Sequence, residues 1–303
     1  MQLFFFFFLL LLNINHQSLI ATKANRIVRS AQGRAVMEFG ARRAHGADAS
    51  VYGARAAYIG GCVGTSCVKA GKDFDIPVFG TMAHSWIQLF DSEYDAFKAY
   101  AEVYPDNCTF LVDTFETLKK GIPNAIKVAN EVLKPLGCRP KGIRIDSGDI
   151  TYLSKRARKM LDDAGYPDCA IVVSNSLDEH LIKELDNQGA KISSFGVGER
   201  LITARSEAVF GGVYKLSAVE KNGEIIPKIK ISEDMIKTIN PDHKKLYRAY
   251  DKDTGYAIAD IMTRQNEVIT KDDLIIVSPQ DYLKRKQINN FELVELQKPI
   301  FVN

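Results

Sequence analysis

The sequence has very little net charge. Its 40 basic and 37 acidic side chains leave +3 over 303 residues. So even a balance excludes the basic surface that nucleic-acid binding demands, although basic residues are free to cluster around an anion. Cysteines in paired spacing are also missing. Cys62, Cys67, Cys108, Cys138 and Cys169 are odd in number and none forms a C-x-x-C pair. Neither a disulfide framework nor a zinc site is expected, and buried free thiols in a reducing cytoplasm fit best. There is no apolar run long enough for a membrane helix: the longest, residues 3–12, falls well short of the ~20 residues a span requires. No Lys or Arg precedes Lys23, so a secretory signal is the weaker reading of that run. A buried strand or the start of a helix is the stronger one. Internal repeats and low-complexity linkers are absent as well.

What is present is a rhythm. Residues 17–32 place Leu19, Ile20, Ala24, Ile27 and Val28 near helical spacing, and residues 48–59 form an Ala-rich helix closed by Gly60-Gly61. Short apolar strands are expected at 36–39, 63–66, 76–79, 109–112, 142–145, 170–173, 192–195 and 212–216. Helical patterns lie near 84–103, 122–134, 151–164 and 178–187. Strands that alternate with helices at about thirty-residue intervals indicate parallel βα units. About eight strands favour an irregular (βα)8-type barrel over an open sheet, although periodicity alone does not separate them. From about residue 214 the pattern alternates like antiparallel strands at 213–219, 225–231, 246–250 and 256–261, with turns at Asn222-Gly223 and Thr254-Gly255. The fold class is therefore α/β, with a barrel over 1–216 and a smaller β-rich domain over 217–303. No terminal element is expected at Phe301-Val302-Asn303.

Small polar residues and acids repeatedly follow the apolar strands, and in a barrel these positions share one mouth. Gly196-Val197-Gly198-Glu199-Arg200 reads as a phosphate cradle, with glycines admitting an anion to backbone N–H groups and Arg200 adding charge, or as a tight turn. Arg144-Ile145-Asp146-Ser147-Gly148-Asp149 suits a diphosphate, ribose hydroxyls and Mg2+, or an ion pair closing a barrel end. Phe39 offers a ring face, and Arg42 and Arg43 offer forks matched to a carboxylate; a solvated Arg pair is the alternative. His84 follows a strand within Gly80-Thr81-Met82-Ala83-His84-Ser85-Trp86. A satisfied core histidine is the bland account. In the catalytic account Asp113, at the next strand end, orients one ring nitrogen and leaves the other as nucleophile. His16, His45, His180 and His243 have no comparable setting.

Several strings together resemble the nicotinate phosphoribosyltransferase family. They are residues 15–24 (Asn-His-Gln-Ser-Leu-Ile-Ala-Thr-Lys-Ala), 38–46 (Glu-Phe-Gly-Ala-Arg-Arg-Ala-His-Gly), 80–86, 144–149, and 195–198 with 211–216. The resemblance runs from about residue 9 to the C-terminus. It implies an irregular α/β barrel with a β-sandwich-like domain, usually dimeric. It implies formation of nicotinate mononucleotide and diphosphate from nicotinate and 5-phosphoribosyl diphosphate, with Mg2+, and with ATP hydrolysis coupled through a phosphohistidine. By motif, His84 resembles the phosphorylated histidine and Asp113 its partner. Phe39 and Arg42 resemble the nicotinate stack and carboxylate clamp. Arg144, Asp146, Ser147 and Gly148 resemble ribose and diphosphate contacts with Asn175 as neighbour, and Gly196 and Gly198 resemble the 5-phosphate loop. No protein ligand to the metal is expected. Related nicotinamide enzymes carry an acid in the stretch that here reads Gly64-Thr65-Ser66, which would repel a carboxylate, so Ser66 favours nicotinate. The resemblance also implies a longer chain at both ends, including an N-terminal segment that lends an aromatic to the partner's site. An inactive or ligand-binding piece, or a nicotinamide or quinolinate enzyme, are the competing expectations.

Overall fold

The computed structural model describes residues 2–231, 233, 240–269, 273–279, 281 and 283–299, with side chains from residue 8 onward. Residues 301–303, expected to add no element, lie outside it. Two compact units divide at Gly212/Val213.

The first unit opens with α1 (Gln2–Ser30), much longer than the helix expected over 17–32. No glycine or proline interrupts it. Ile20, Ala24 and Ile27 share one buried face at helical spacing. Phe8, Leu9, Leu10, Leu12 and Ile14 are exposed, which corrects the expectation that the apolar run is buried. Among the described residues no helix is long and apolar enough to cross a membrane.

Alternation then proceeds through β1 (Ala35–Glu38), α2 (Ala47–Ile59), β2 (Gly64–Thr65), α3 (Val68–Phe74), α4 (His84–Gln88), α5 (Glu93–Val103) and β3 (Thr109–Leu111). It continues with α6 (Ile122–Val128), β4 (Gly142–Ile145), α7 (Ile150–Asp163), β5 (Ala170–Val173), α8 (Glu179–Asn187), β6 (Ser194–Val197) and α9 (Glu199–Ile202). The helix expected over 84–103 is two helices. Ser92 caps α5 by accepting from the Asp95 N–H at 3.1 Å, and Glu93 and Asp95 complement the helix N-terminus.

The six strands form one parallel sheet in the order β2-β1-β6-β5-β4-β3. Pairing of β1 with β6 joins the first strand to the last, as barrel winding requires. Beyond β2, Val78 adds a single parallel bridge to Thr65, so residues 76–79 contribute an isolated bridge rather than a strand. Residues 212–216, expected as a strand, form none: Val213 and Leu216 are exposed, with no sheet edge to bury them. Six ladder strands thus replace the expected eight, and among the described residues a seam between Val78 and β3 carries no ladder. The core beneath the sheet includes Phe97, Phe110 and Phe195, all fully buried. The Phe97 and Phe110 rings meet tilted at 5.0 Å. Each such ring contributes about 1.5–3 kcal/mol by burial.

The second unit is antiparallel. A hairpin pairs β7 (Ala218–Lys221) with β8 (Glu224–Pro227) around Asn222-Gly223, both at positive φ as a tight primed turn needs. Strands β9 (Lys244–Asp251) and β10 (Ala257–Arg264) form a three-stranded sheet with β13 (Phe291–Glu295), and β11 (Asp273–Val277) pairs with β12 (Arg285–Asn289). Its core is small: Ala249, Ile261, Ile288 and Phe291.

Candidate active site

Parallel strands present their carboxyl ends at one edge, so the residues after β1 to β6 converge. Arg144, third in β4, occupies the centre. Its Nε donates to Ser174 Oγ at 2.9 Å, Nη1 to Thr81 Oγ1 at 2.9 Å and Nη2 to Asp146 Oδ1 at 2.8 Å. One guanidinium therefore links the ends of β4 and β5 to the segment beyond the seam. Burial opposes the charged form of Asp146, but Arg144, the hydrogen bonds from Ser174 and Arg144, and His84 together outweigh it. The carboxyl sits below the usual carboxylate range.

Asp113 is buried just past β3. Its Oδ2 accepts from the Asp146 N–H at 2.9 Å and from the Ser147 hydroxyl at 2.5 Å, while Oδ1 has no hydrogen-bond partner. His84 opens α4, half exposed. Its Nδ1 lies 3.0 Å from Thr114 Oγ1. Its Nε2 faces Asp146 Oδ2 at 3.7 Å and Asp113 Oδ1 at 3.9 Å. These are ion-pair separations rather than hydrogen bonds. The expected contact between His84 and Asp113 is thus electrostatic, and the hydrogen bond that holds the ring lies between Nδ1 and Thr114 Oγ1.

The Phe39 ring covers Gly196. A Cβ there would meet ring carbons at 2.5 and 2.6 Å, so only glycine permits the approach. The ring centroid is 5.9 Å from the Arg144 guanidinium carbon, at the outer limit of a cation–π contact. Ser66 follows β2, and its N–H donates to Glu38 O at 2.9 Å. Arg42 lies on the exposed 3-10 turn Ala41–Arg43 and forms no hydrogen bond or ion pair among the described residues. Gly148 takes φ +81° and Asn175 φ +94°, both at exposed turns. Gly198 precedes α9.

Some expectations change. Arg200 does not serve the glycine turn: it pairs with Asp178, whose carboxylate also caps α8. Asp149 caps α7 by accepting from the Tyr152 N–H at 3.0 Å. Ser174 and Thr81, which the sequence places at strand ends without a role of their own, bind Arg144 directly. Ser174 sits between β5 and the expected Asn175. All five cysteines are free, Cys67 and Cys138 only half-buried. Burial pushes the thiols of Cys62, Cys108 and Cys169 up to about 12, which leaves none of the three as a neutral-pH nucleophile.

The profile of the "Nicotinate phosphoribosyltransferase (NAPRTase) family" matches residues 34–254, and that of its C-terminal domain matches residues 243–303. The chain belongs to the nicotinate phosphoribosyltransferase family. It is 47% identical over 295 residues to a Bacillus subtilis nicotinate phosphoribosyltransferase, covering 96% of this chain and 59% of that protein. Its fold resembles human nicotinic acid phosphoribosyltransferase with TM-score 0.77 at 26% identity, over 93% of this chain and 63% of the human one. A Pyrococcus furiosus nicotinate-nucleotide pyrophosphorylase matches with TM-score 0.60 at 26% identity, over 91% and 64%. The chain thus spans about three fifths of the length of these relatives. Within the nicotinate phosphoribosyltransferase match fall Phe39, Arg42, His84, Asp113, Arg144 and Asp146, so the clustered residues and the family assignment concern the same stretch of chain.

Proposed function

We propose that this chain carries the catalytic barrel of a nicotinate phosphoribosyltransferase that works in NAD salvage. The supporting observation is the meeting of His84, Asp113, Asp146 and Arg144 at the strand ends across the seam. In this reading nicotinate stacks on Phe39 with its carboxylate toward Arg42 and Ser66. The 5-phosphate lies along Gly196 and Gly198, and the ribose and diphosphate face Arg144, Asp146, Ser147 and Gly148, with Asn175 beside them. The pyridine nitrogen attacks C1 of the ribose, and the C1–O bond breaks to release diphosphate. Arg144 retains N–H groups beyond its three internal bonds for that anion.

ATP, phosphohistidine and Mg2+ belong to the same proposal. In the tautomer whose Nδ1–H donates to Thr114 Oγ1, Nε2 carries the lone pair that attacks the γ-phosphorus of ATP, and ADP leaves. The two carboxylates stabilise the cationic ring that results. Asp146 Oδ2, which takes no hydrogen bond, would face a Mg2+ carried by the phosphates, and the ion would offset the leaving group's charge. A homodimer in the cytoplasm completes the reading, and the buried thiols fit a reducing compartment.

The test is product formation from nicotinate, 5-phosphoribosyl diphosphate and Mg2+, with and without ATP. ATP-stimulated nicotinate mononucleotide is expected, and His84→Ala should abolish both the stimulation and acid-labile labelling from ATP. A second reading rests on the chain's partial coverage of its relatives: a piece that binds ligand without turnover. Folded protein that binds the mononucleotide but makes none would favour it. Preference for nicotinamide or quinolinate would overturn the role of Ser66.

A further inference from the structure

Glu38 ends β1 and is fully buried. No cation pairs with it among the described residues. Its Oε1 accepts from the Gly40 N–H, and its Oε2 accepts from the Thr65 hydroxyl at 2.6 Å. Thr65 Oγ1 in turn accepts from the Cys67 N–H at 2.9 Å. The backbone is tied in the same place: Glu38 O accepts from the Ser66 N–H at 2.9 Å, and the Phe39 N–H donates to Val197 O at 2.8 Å. One buried carboxyl therefore clamps two turns, residues 39–42 after β1 and residues 65–67 after β2. There is no slack at the clamp. A Cβ on Gly40 would come within 2.8 Å of Glu38 Oε1 and 2.6 Å of Ile202 Cβ.

A buried carboxyl without a cation is costly, because desolvation is only partly offset by two neutral donors. Burial is the largest influence and raises its pKa, against the hydrogen bonds from Thr65 and Gly40. An apolar or amide side chain of similar size would be cheaper if packing alone were needed. The two turns it joins are those that carry Phe39 and Arg42 on one side and Ser66 on the other.

We propose that Glu38 is a positioning residue of the base site, whose carboxyl sets the gap between the Phe39/Arg42 turn and the Ser66 turn into which a planar aromatic acid fits. This rests on the base-site reading above. Glu38 touches no substrate. It acts through the two turns, and its influence falls on recognition of the aromatic acid and not on the phosphoribosyl end.

The experiment combines steady-state kinetics and direct [14C]nicotinate binding on the full chain. Glu38→Ala is expected to raise KM and Kd for nicotinate about tenfold or more, with kcat and the KM for 5-phosphoribosyl diphosphate changed less than about threefold, the scale of losing hydrogen bonds to a carboxyl. Glu38→Gln, which can accept from Gly40 and donate to Thr65 Oγ1, should recover base affinity to within about threefold. Equal losses at both substrates, or a lowered melting temperature with unchanged nicotinate KM, overturn the proposal. Should Glu38→Ala fail to fold, Thr65→Val removes one arm of the clamp. It should raise the nicotinate KM selectively, and an unchanged KM overturns the proposal too. Wild-type chain that binds nicotinate as well as the variants do refutes only the role of Glu38. Wild-type chain that does not bind nicotinate refutes the base-site reading with it.

Discussion

In β4, β5 and β6 nearly every residue is buried, whereas in β10 and β11 exposed residues recur along the strand. The parallel strands are covered on both faces, and the antiparallel ones on one. The difference reaches the chemistry. Side chains at the ends of doubly covered strands emerge from a backbone held on all sides, so Arg144 can meet Ser174, Thr81 and Asp146 at once. In the second unit the comparable charged pair, Arg248 with Asp260, spans neighbouring strands in the open at 2.7 and 3.0 Å. Geometry of the same quality is constrained in one place and optional in the other.

The contrast is open to measurement, beginning with the largest effect. Phe110→Ala removes a fully buried ring from the first core and should cost about 3–5 kcal/mol. Phe291→Ala, in the smaller core, should cost less, roughly 2 kcal/mol. Trp86 is the single tryptophan and lies in the first unit, so its fluorescence during urea unfolding reports that unit. Phe110→Ala should move the Trp86 midpoint, and Phe291→Ala should move chiefly the circular dichroism transition. Equal shifts of the Trp86 midpoint would erase the contrast.

Next in size is Asp113→Asn. It keeps the volume but turns an amide toward the donors of Asp146 and Ser147 and removes a charge facing His84. Turnover should fall about a hundredfold while circular dichroism stays unchanged. Full activity would take Asp113 out of the mechanism.

Smaller again are two opposed pH effects within the first unit. The carboxyl of Asp146 is depressed, so the unfolded chain binds its proton first as pH falls. That residue's stabilisation is present above the ordinary carboxylate range and is lost on acidification through the lowered pKa. The carboxyl of Glu38 is raised, so its contribution is greatest in acid and declines as pH rises through the raised pKa. Urea midpoints from about pH 3 to about pH 7 should show Asp146→Asn losing the acid slope. Over the same range Glu38→Gln should gain on wild type as pH rises. Parallel curves would mean that neither shift exists. The smallest effect is expected in the second unit: Arg248→Ala should leave the urea midpoint within experimental error, since an exposed pair contributes little.

The same asymmetry governed what could be read from sequence. Runs such as Phe110-Leu111-Val112 and Ile171-Val172-Val173 are apolar without a break, so the parallel strands and their spacing were legible. Burial decides the rest, and composition does not reveal it. Residues 212–216 have strand-like composition but join no sheet among the described residues, and Phe8, Leu9, Leu10 and Leu12 are exposed. Strands β11, β12 and β13 were passed over, because short, largely exposed strands such as Arg285–Asn289 alternate weakly. In the site, the clustered charges Arg144, Asp146, Asp113 and His84 were found by residue type. The hydroxyls of Thr81, Thr114 and Ser174 stand at strand ends in the sequence, but their orienting role shows only in distances. Asp113 is expected to orient the His84 ring from its place at the next strand end, yet the neighbouring Thr114 makes the hydrogen bond to it.

The seam beside His84 has a kinetic consequence. No amide of residues 80–83 donates a hydrogen bond among the described residues, and side chains do the fastening: Thr81 to Arg144, and His84 to Thr114. Solvent deuterium should therefore enter residues 80–83 long before it enters residues 143–144, which are laddered on both sides. An anion that gathers Arg144 and His84 together would slow that exchange. The exchange rate of residues 80–83 would then serve as a gauge of whether the mouth is occupied.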